Sequence, residues 1–324
     1  GMIDTRIELP NKYLNARLKV FREPKLDHCF QQKPDVVFMP NLNLSRLSDD
    51  VPLVVTVHDL SFEIYPEVFS HRMRLWHTWI EPKRLLERAD HVIAVSHSTK
   101  QDIQDLYGIP ADTISVTHLG VSDTFFEDHS QDFAEVRTRY ALPKNIILYL
   151  GTIEPRKNIT RLVQAFERIA GSFPDYHLVI AGKDGWLCED IHRTIQTSPV
   201  HDRIHSIGFV ESHHKPALYA LADLFVYPSL YEGFGFPPLE AMASGTATIT
   251  SQVSSLPELV EDAAWKVSPY DICDLADSMA WMLQNPDIRS QYQELGRKRA
   301  RLFRWNDTIQ HTLEILKNSA PKTT

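Results

Sequence analysis

Short apolar runs alternate with helical segments along this chain, and this alternation restricts the fold more than any other feature of the sequence. The first series of predicted strands occupies residues 35–40, 53–58, 91–95 and 113–117. Near-continuous apolar strands separated by helices are typical of a parallel sheet that is covered on both faces. The pattern therefore predicts an α/β fold built on parallel sheets.

A second alternating series begins after a polar stretch at residues 120–144. Its predicted strands cover residues 146–150, 177–181, 224–227 and 247–250. The chain has 324 residues, which is long enough for two domains at ~100–200 residues each. We predict one domain over residues 1–128, a second over residues 129–300, and a C-terminal helix over residues 301–324 that packs back on the first domain.

Helical periodicity predicts the segments between the strands. Predicted helices cover residues 71–88, 97–107, 271–284 and 287–318, and a further one starts at Asn158, which we expect to cap it. In the segment 71–88, four apolar side chains fall on one face: Met73, Trp76, Trp79 and Ile80. We expect that face to be the buried one.

The charge balance and the cysteine content exclude several classes of protein. The formal net charge is −8, so the chain lacks the surplus of Lys and Arg that phosphate neutralisation needs, and we expect no nucleic-acid partner. The cysteines at 29, 188 and 273 have no Cys-x-x-Cys spacing, which favours reduced thiols in a cytosolic protein. No apolar run approaches the ~20 residues of a membrane span.

The stretch before the first strand is short and basic. Residues 10–21 are amphipathic, which fits either a surface that approaches an anionic membrane or a solvated helix with a few apolar anchors. No Gly-rich turn and no strand precede residue 35. Gly1 before Met2 is typical of a residue left after tag removal.

The segment 224–245 combines a buried strand, a loop with two glycines and two prolines, and a helix. A helix N-terminus after a Gly-containing turn favours anions, because free N–H groups and the helix dipole point toward the ligand. Glu232 follows the strand, and Glu240 is expected in the first helical turn. A carboxylate there can accept hydrogen bonds from a ribose diol, although a dipole-favoured helix start is the alternative for Glu240.

A second loop follows the strand at residues 146–150. Gly151 ends this strand, and Arg156 and Lys157 lie in the turn before the helix. Two cations at the carboxyl edge of a parallel sheet suit a diphosphate. A solvated turn is the alternative for this pair.

These two loops resemble a known family block. The first loop is similar to the E-x7-E signature of retaining glycosyltransferases of family 4 with the GT-B fold. The matching residues are Glu232-Gly233-Phe234-Gly235-Phe236-Pro237 through Leu239-Glu240-Ala241-Met242-Ala243-Ser244-Gly245. Gly151 to Asn158 resembles the same family, and so does Val57 to Pro66. The resemblance covers residues 35–315. It implies two Rossmann-like doubly wound domains that face each other across a cleft.

The resemblance also implies roles for individual residues. Arg156 and Lys157 would contact the donor diphosphate, and Glu240 would contact the ribose. The donor sugar would be positioned by Glu232 and by the backbone of Gly233, Phe234, Gly235 and Phe236. Gly151, Lys183 and Val210 would line the donor site, Val210 through its backbone. His58 would face the donor sugar from the first domain. Ser96 either lies near the ligand or caps a helix.

The predicted activity is transfer of a sugar from a nucleoside diphosphate to a hydroxyl of a glycan or a lipid-linked acceptor. The resemblance implies GDP-mannose or a UDP-sugar as the donor, with no other cofactor. It also favours a front-face transfer, in which the leaving phosphate oxygen takes the proton of the acceptor, over a covalent step on Glu232. No Asp-x-Asp or Cys/His cluster is present, so we expect no metal. The protein is expected in the cytoplasm, with peripheral contact to the inner membrane face.

The resemblance also predicts that N-terminal elements of the first domain are missing, and it leaves two alternative functions open. Family members begin with a strand, a Gly-containing loop and a further helix and strand, so we expect the first domain to be incomplete here. A nucleotide-sugar-binding protein without transfer activity is one alternative function. A sugar-nucleotide epimerase of the same fold is the other.

Overall fold

The computed structural model describes residues 17–18, 23–30 and 32–321. The predicted basic stretch at residues 10–21 lies outside these residues, except for Arg17 and Leu18. The chain divides into two compact units, one of residues 1–118 with 306–324 and one of residues 119–305. The boundaries inferred from the sequence were 128 and 300.

The first unit has a four-stranded parallel sheet with the sequential order β1-β2-β3-β4. The strands are β1 (Val37–Met39), β2 (Leu53–Val57), β3 (His91–Ala94) and β4 (Ile114–Val116). Its helices are α1 (Ser61–Ile64), α2 (His71–Ile80), α3 (Pro82–Arg88) and α4 (His97–Tyr107). All four predicted strands are confirmed. Their apolar side chains form one core with Leu60, Leu86 and Ile103.

The second unit has a six-stranded parallel sheet with the order β10-β9-β8-β5-β6-β7. The strands are β5 (Asn145–Leu150), β6 (Tyr176–Ala181), β7 (Ile204–Gly208), β8 (Leu224–Tyr227), β9 (Thr248–Ser251) and β10 (Trp265–Val267). The helices are α5 (Phe133–Arg139), α6 (Ile159–Ala170), α7 (Glu189–Thr197), α8 (Lys215–Ala220), α9 (Phe236–Ala243), α10 (Leu256–Val260), α11 (Ile272–Gln284) and α12 (Pro286–Ala300). The C-terminal helix α13 (Trp305–Ser319) belongs to the first unit except for its first residue. Short 3-10 turns join several elements of both units, among them Pro155–Lys157, just before α6.

The α/β class and the parallel Rossmann-like sheets predicted from the sequence are confirmed. Two strands, β7 and β10, were absent from the predicted set. Both lie at the edges of the sheet, and their sequences are short or alternate polar with apolar residues. Such strands lack the continuous apolar run that marks a buried parallel strand.

Two predicted helices are interrupted. The segment 71–88 breaks at Glu81, because the following Pro82 has no N–H to donate and disfavours a helical residue before it. Trp79 was expected on the buried face, but its side chain is exposed. The segment 287–318 breaks between Ala300 and Trp305, where the buried Phe303 packs edge-to-face on Phe234 and accepts a backbone hydrogen bond from Val121.

The ends of three neighbouring strands are tied together through glycines. Gly151 donates its N–H to Ala181, and Gly182 donates to Gly208 at 2.8 Å. Gly182 has a φ of +151°, and a Cβ atom placed on it would lie 1.8 Å from the carbonyl oxygen of Gly151. Only a residue without a Cβ atom lets the β5 and β6 loops approach this closely.

We predict that Gly182→Ala lowers the free energy of unfolding by more than ~3 kcal/mol, since a strained φ alone costs roughly 1–3 kcal/mol and the overlap adds to it. Gly171→Ala is the matched control, because Gly171 has helical dihedrals and an added Cβ meets no atom within 4 Å. Urea unfolding measures the free energy of unfolding of both variants. Equal stability of the two would contradict the packing of these loops.

Candidate active site

The strand order of the second unit reverses direction at β5. This strand pairs with β6 on one side and with β8 on the other. In a parallel sheet, such a reversal opens a crevice at the carboxyl ends of the two central strands, and ligands bind there. The loop at residues 151–158 follows β5, and the loop at residues 228–235 follows β8. The topology therefore brings the two motifs found in the sequence to one place.

The carboxylate of Glu232 joins these two loops and is almost completely buried. Its Oε1 atom accepts hydrogen bonds from Lys157 Nζ at 2.6 Å, Ser229 Oγ at 2.7 Å and Tyr227 Oη at 3.0 Å. Its Oε2 atom accepts one from Arg156 at 3.0 Å. A buried carboxylate with this many donors is held rigidly and remains charged.

Arg156 adds two further contacts that bind the loops together. It donates to the backbone oxygen of Tyr231 at 2.7 Å and to Glu154 Oε1 at 2.7 Å. Glu154, Arg156, Lys157 and Glu232 thus form a buried cluster of two cations and two carboxylates, which we call the charge cluster. Its formal charges cancel, which lowers the cost of burying it.

The pKa values within the charge cluster diverge. Burial raises the pKa of Glu232, but attraction to Arg156 and Lys157, with hydrogen bonds from Lys157 and Ser229, outweighs it and lowers the pKa to about 2. For Glu154, burial dominates and raises the pKa despite the same two cations. Glu232 is therefore an anion at neutral pH and a weak proton donor or nucleophile.

The segment 233–235 is shaped by its backbone and by two serines. Glu232 N–H donates to Ser254 Oγ at 2.9 Å, while Ser255 Oγ donates to the carbonyls of Glu232 and Phe234. Gly235, at the N-terminus of α9, has a φ of +137°, and an added Cβ would come within 2.8 Å of Leu256. These contacts fix the backbone of the segment.

Glu240 lies in the second turn of α9, not in the first turn as expected, because the helix already begins at Phe236. The dipole-favoured helix start therefore does not explain this residue. Its Oε2 atom accepts a hydrogen bond from the buried Tyr219 hydroxyl at 3.0 Å. Burial raises the pKa of Glu240, although Lys215 and the Tyr219 bond act in the opposite direction.

Lys183 and Val210 each lie two residues beyond the end of a strand, Lys183 after β6 and Val210 after β7. Lys183 is exposed, and its Nζ atom lies 4.5 Å from the ring centroid of Phe209. Phe209 is 55% exposed and was missed by the sequence analysis. The feature that could have identified Phe209 from the sequence is its position directly after Gly208, because ligands bind at the carboxyl edge of a parallel sheet. Val210 is buried.

Two predicted residues lie in the first unit. His58 follows β2 and is exposed, with Nε2 at 2.9 Å from the carbonyl oxygen of Pro40. Ser96 is fully buried, and its Oγ accepts from the Thr99 N–H at 3.0 Å, so the capping alternative for Ser96 describes its geometry. In the second unit, Asn158 occupies the N-cap position of α6 as expected, but its side chain makes no capping hydrogen bond. Its Oδ1 atom accepts from Arg161 instead, and its amide donates to the carbonyls of Pro228 and Pro269.

Two profiles of known families match this sequence. The one described as Glycosyl transferases group 1 covers residues 131–299, more than half of the chain, and the one described as Glycosyltransferase Family 4 covers residues 4–125. The chain belongs to the glycosyl transferases group 1 family. The E-x7-E loop and the loop carrying Arg156 and Lys157 both fall within the first match.

Curated relatives of this group 1 chain include two mannosyltransferases of Escherichia coli. O-antigen chain mannosyltransferase B is 32% identical over 266 residues, which are 82% of this chain and 70% of the relative. Serotype-specific mannosyltransferase WbdA is 30% identical over 294 residues, which are 85% of this chain and 36% of the relative. The chain therefore spans little more than a third of that larger relative.

Solved structures share the fold of this group 1 chain. Sucrose-phosphate synthase from Thermosynechococcus elongatus has a TM-score of 0.76 at 24% identity, covering 96% of this chain and 80% of that one. HepE from Anabaena, solved in complex with UDP and glucose, has a TM-score of 0.74 at 20% identity, covering 94% and 81%. The GT-B fold predicted from the resemblance is confirmed.

We predict that Glu232→Gln lowers the free energy of unfolding by roughly 3–5 kcal/mol at neutral pH, because it leaves buried cations short of a partner. Since folding lowers the pKa of Glu232 from 4.5 to about 2, its stabilising effect is complete above pH 4.5 and disappears as the pH falls toward 2. Urea unfolding at a series of pH values should show the wild type and the variant converging in acid.

Glu294→Gln provides the control for this experiment. Glu294 forms an ion pair with Lys298 that also measures 2.6 Å, but the pair is exposed. Removing it should change the free energy of unfolding by less than ~1 kcal/mol. A pH-independent gap between wild type and Glu232→Gln would count against a buried ionised Glu232.

Proposed function

We propose that this protein is a retaining glycosyltransferase that moves mannose from a nucleoside diphosphate to a hydroxyl of a glycan or lipid-linked acceptor. The observation that carries the proposal is the charge cluster at the crevice between β5 and β8. The names of the two Escherichia coli relatives support mannose and a polysaccharide product. GDP-mannose is the favoured donor, and a UDP-sugar is the alternative, supported by the UDP complex of HepE.

The residues around the crevice suit the parts of such a donor. Arg156 and Lys157 would share their charge between Glu232 and the diphosphate, and Lys183 would add a third cation. Glu240 would accept hydrogen bonds from the ribose diol, held in position by Tyr219. The exposed ring of Phe209 would lie beside the base. His58 is assigned to the donor sugar by the family resemblance.

The state of Glu232 favours transfer on one face of the sugar. Both of its oxygens accept hydrogen bonds from cations, and its low pKa makes it a poor nucleophile. In the proposed step, the bond between the anomeric carbon and the phosphate oxygen breaks. The acceptor oxygen bonds to that carbon from the same face and passes its proton to the departing phosphate. Glu232 would orient the sugar and the two cations.

Charge neutralisation by side chains supports a metal-independent transfer. Arg156 and Lys157 can stabilise the developing negative charge on the departing diphosphate, as a bound cation would. Fixed donors in a buried setting need no reorganisation during the reaction.

Thermal unfolding against a panel of nucleoside diphosphates and their sugars tests the donor site. We predict that GDP and GDP-mannose raise the Tm with and without EDTA, since a ligand at 100 times its Kd adds about 2.7 kcal/mol to stability. Glu240→Ala should abolish the shift. Glu294→Ala, at an exposed position on α12, should retain it.

Product analysis with the bound donor then separates the candidate functions. A transferase releases the nucleoside diphosphate only when an acceptor is supplied. An epimerase alters the sugar without an acceptor, and a binding protein leaves the donor unchanged. Either of the last two results would overturn the proposed transfer while keeping the donor site.

We also propose that the protein works in the cytoplasm, in peripheral contact with the inner membrane face. Among the described residues, no helix is both long and apolar enough to cross a membrane. Support for the contact comes from α2, where Leu75 is 64% and Trp79 44% exposed beside the exposed Arg72 and Arg74. Apolar side chains flanked by cations suit an anionic lipid surface.

Sedimentation with lipid vesicles tests this contact. Binding to vesicles with anionic lipid should exceed binding to neutral ones and weaken as salt rises. The double variant Leu75→Ser with Trp79→Ser should lose most of it, while Leu302→Ser, at an equally exposed leucine of the second unit, should not. Unchanged sedimentation of the double variant would remove α2 from the contact.

A further inference from the structure

Three side chains with different ligand atoms converge where the β6 loop enters α7. Asp184 Oδ1, Cys188 Sγ and His192 Nε2 all lie within 4.8 Å of one another. Asp184 and His192 are in hydrogen-bond contact at 2.9 Å. No Cys/His cluster was expected from the sequence, because the spacing Asp-x3-Cys-x3-His is not one of the standard zinc-binding patterns. The fold nevertheless brings these three side chains together.

Backbone contacts hold these three side chains close together. Cys188 and His192 are four residues apart at the start of α7, so they share one face of the helix, and His192 N–H donates to the Cys188 carbonyl at 3.0 Å. Asp184 is held by Ile153, which forms an isolated parallel bridge with it, accepts from Gly185 and donates to Lys183. The cluster is therefore anchored to the β5 loop and to a helix.

The donor atoms indicate which metal would bind. A thiolate, an imidazole and a carboxylate together suit Zn²⁺ and neighbouring transition metals. Mg²⁺ and Ca²⁺ require oxygen ligands, and only one side chain of this cluster, that of Asp184, supplies oxygen. We propose that Asp184, Cys188 and His192 bind one Zn²⁺ ion, leaving its fourth position for water or an external ligand.

A second group of ligand-type residues in the second unit is a weaker candidate. Glu211, His213 and His214 also lie close together. However, His214 already contacts the Tyr140 hydroxyl at 3.0 Å and Glu135 at 3.3 Å, and Glu211 is paired with Arg139. A metal would have to displace these partners. In the Asp184 group, a metal would replace the hydrogen bond between Asp184 and His192.

The proposed zinc site is separate from the charge cluster. It lies on the loop that begins with Lys183 but uses no side chain assigned to the donor. Its ligands are exposed or half-buried, so a metal can enter from solvent and each ligand can be replaced without opening the core. The proposal therefore stands or fails independently of the proposed function.

Cobalt titration of the tag-free protein tests the site, because tetrahedral Co²⁺ absorbs visible light and a Co²⁺–thiolate bond adds a charge-transfer band in the near ultraviolet. We expect both bands to saturate at one Co²⁺ per chain and to disappear when Zn²⁺ is added. Absence of the thiolate band in the wild type would overturn the proposal.

Ligand variants locate the metal. Cys188→Ala should abolish the thiolate band, and Asp184→Asn and His192→Ala should each weaken Zn²⁺ binding at least ~10-fold, because even an outer-shell partner typically contributes ~10–100-fold. Cys273→Ala and His213→Ala are the controls and should bind as the wild type does. Circular dichroism confirms that each variant is folded. A band that survives Cys188→Ala, or Zn²⁺ affinity unchanged across all three ligand variants, would reject this site.

Discussion

The buried ion pair between Lys157 and Glu232 is the contact that joins the two loops at the carboxyl edge of the second unit's sheet. It joins the loop after β5 to the loop after β8, and Arg156 strengthens the link by contacting both the carboxylate and the backbone of Tyr231. Burying charge is costly unless each group has partners, and here every member of the charge cluster has one. The same contacts that stabilise the loops also hold two cations where a diphosphate would bind.

The pairing of Lys157 with Glu232 determines which charges a bound donor would encounter. Lys157 and Glu232 are nearly inaccessible, so a ligand does not meet free charges but a preorganised, neutral cluster. Preorganised donors need little rearrangement when charge develops on the departing group. The low pKa of Glu232 follows from this arrangement, and in the proposed transfer it favours an orienting role over a covalent one.

The sequence pattern predicted most of the secondary structure but not its interruptions. All the central strands were found, because buried parallel strands have continuous apolar runs. The edge strands β7 and β10 were missed, since one face of an edge strand tolerates polar residues. The break before Pro82 was predictable from the proline itself. The break around Phe303 was not, because it depends on a contact with Phe234, which is distant in sequence.

By itself, the sequence determined the family, the α/β class and the residues of the two loops, because these rest on local order: strand, glycine turn, charged residues, helix. Only the tertiary structure decided which charges meet. Lys157 and Glu232 are 75 residues apart, and they touch because β5 and β8 are neighbours in the sheet, which no local pattern specifies. Likewise, Glu240 was placed correctly in a helix, but its partner Tyr219 came from the packing around α9. Side-chain partnership across strands depends on sheet order, and sheet order is set by how the whole domain packs.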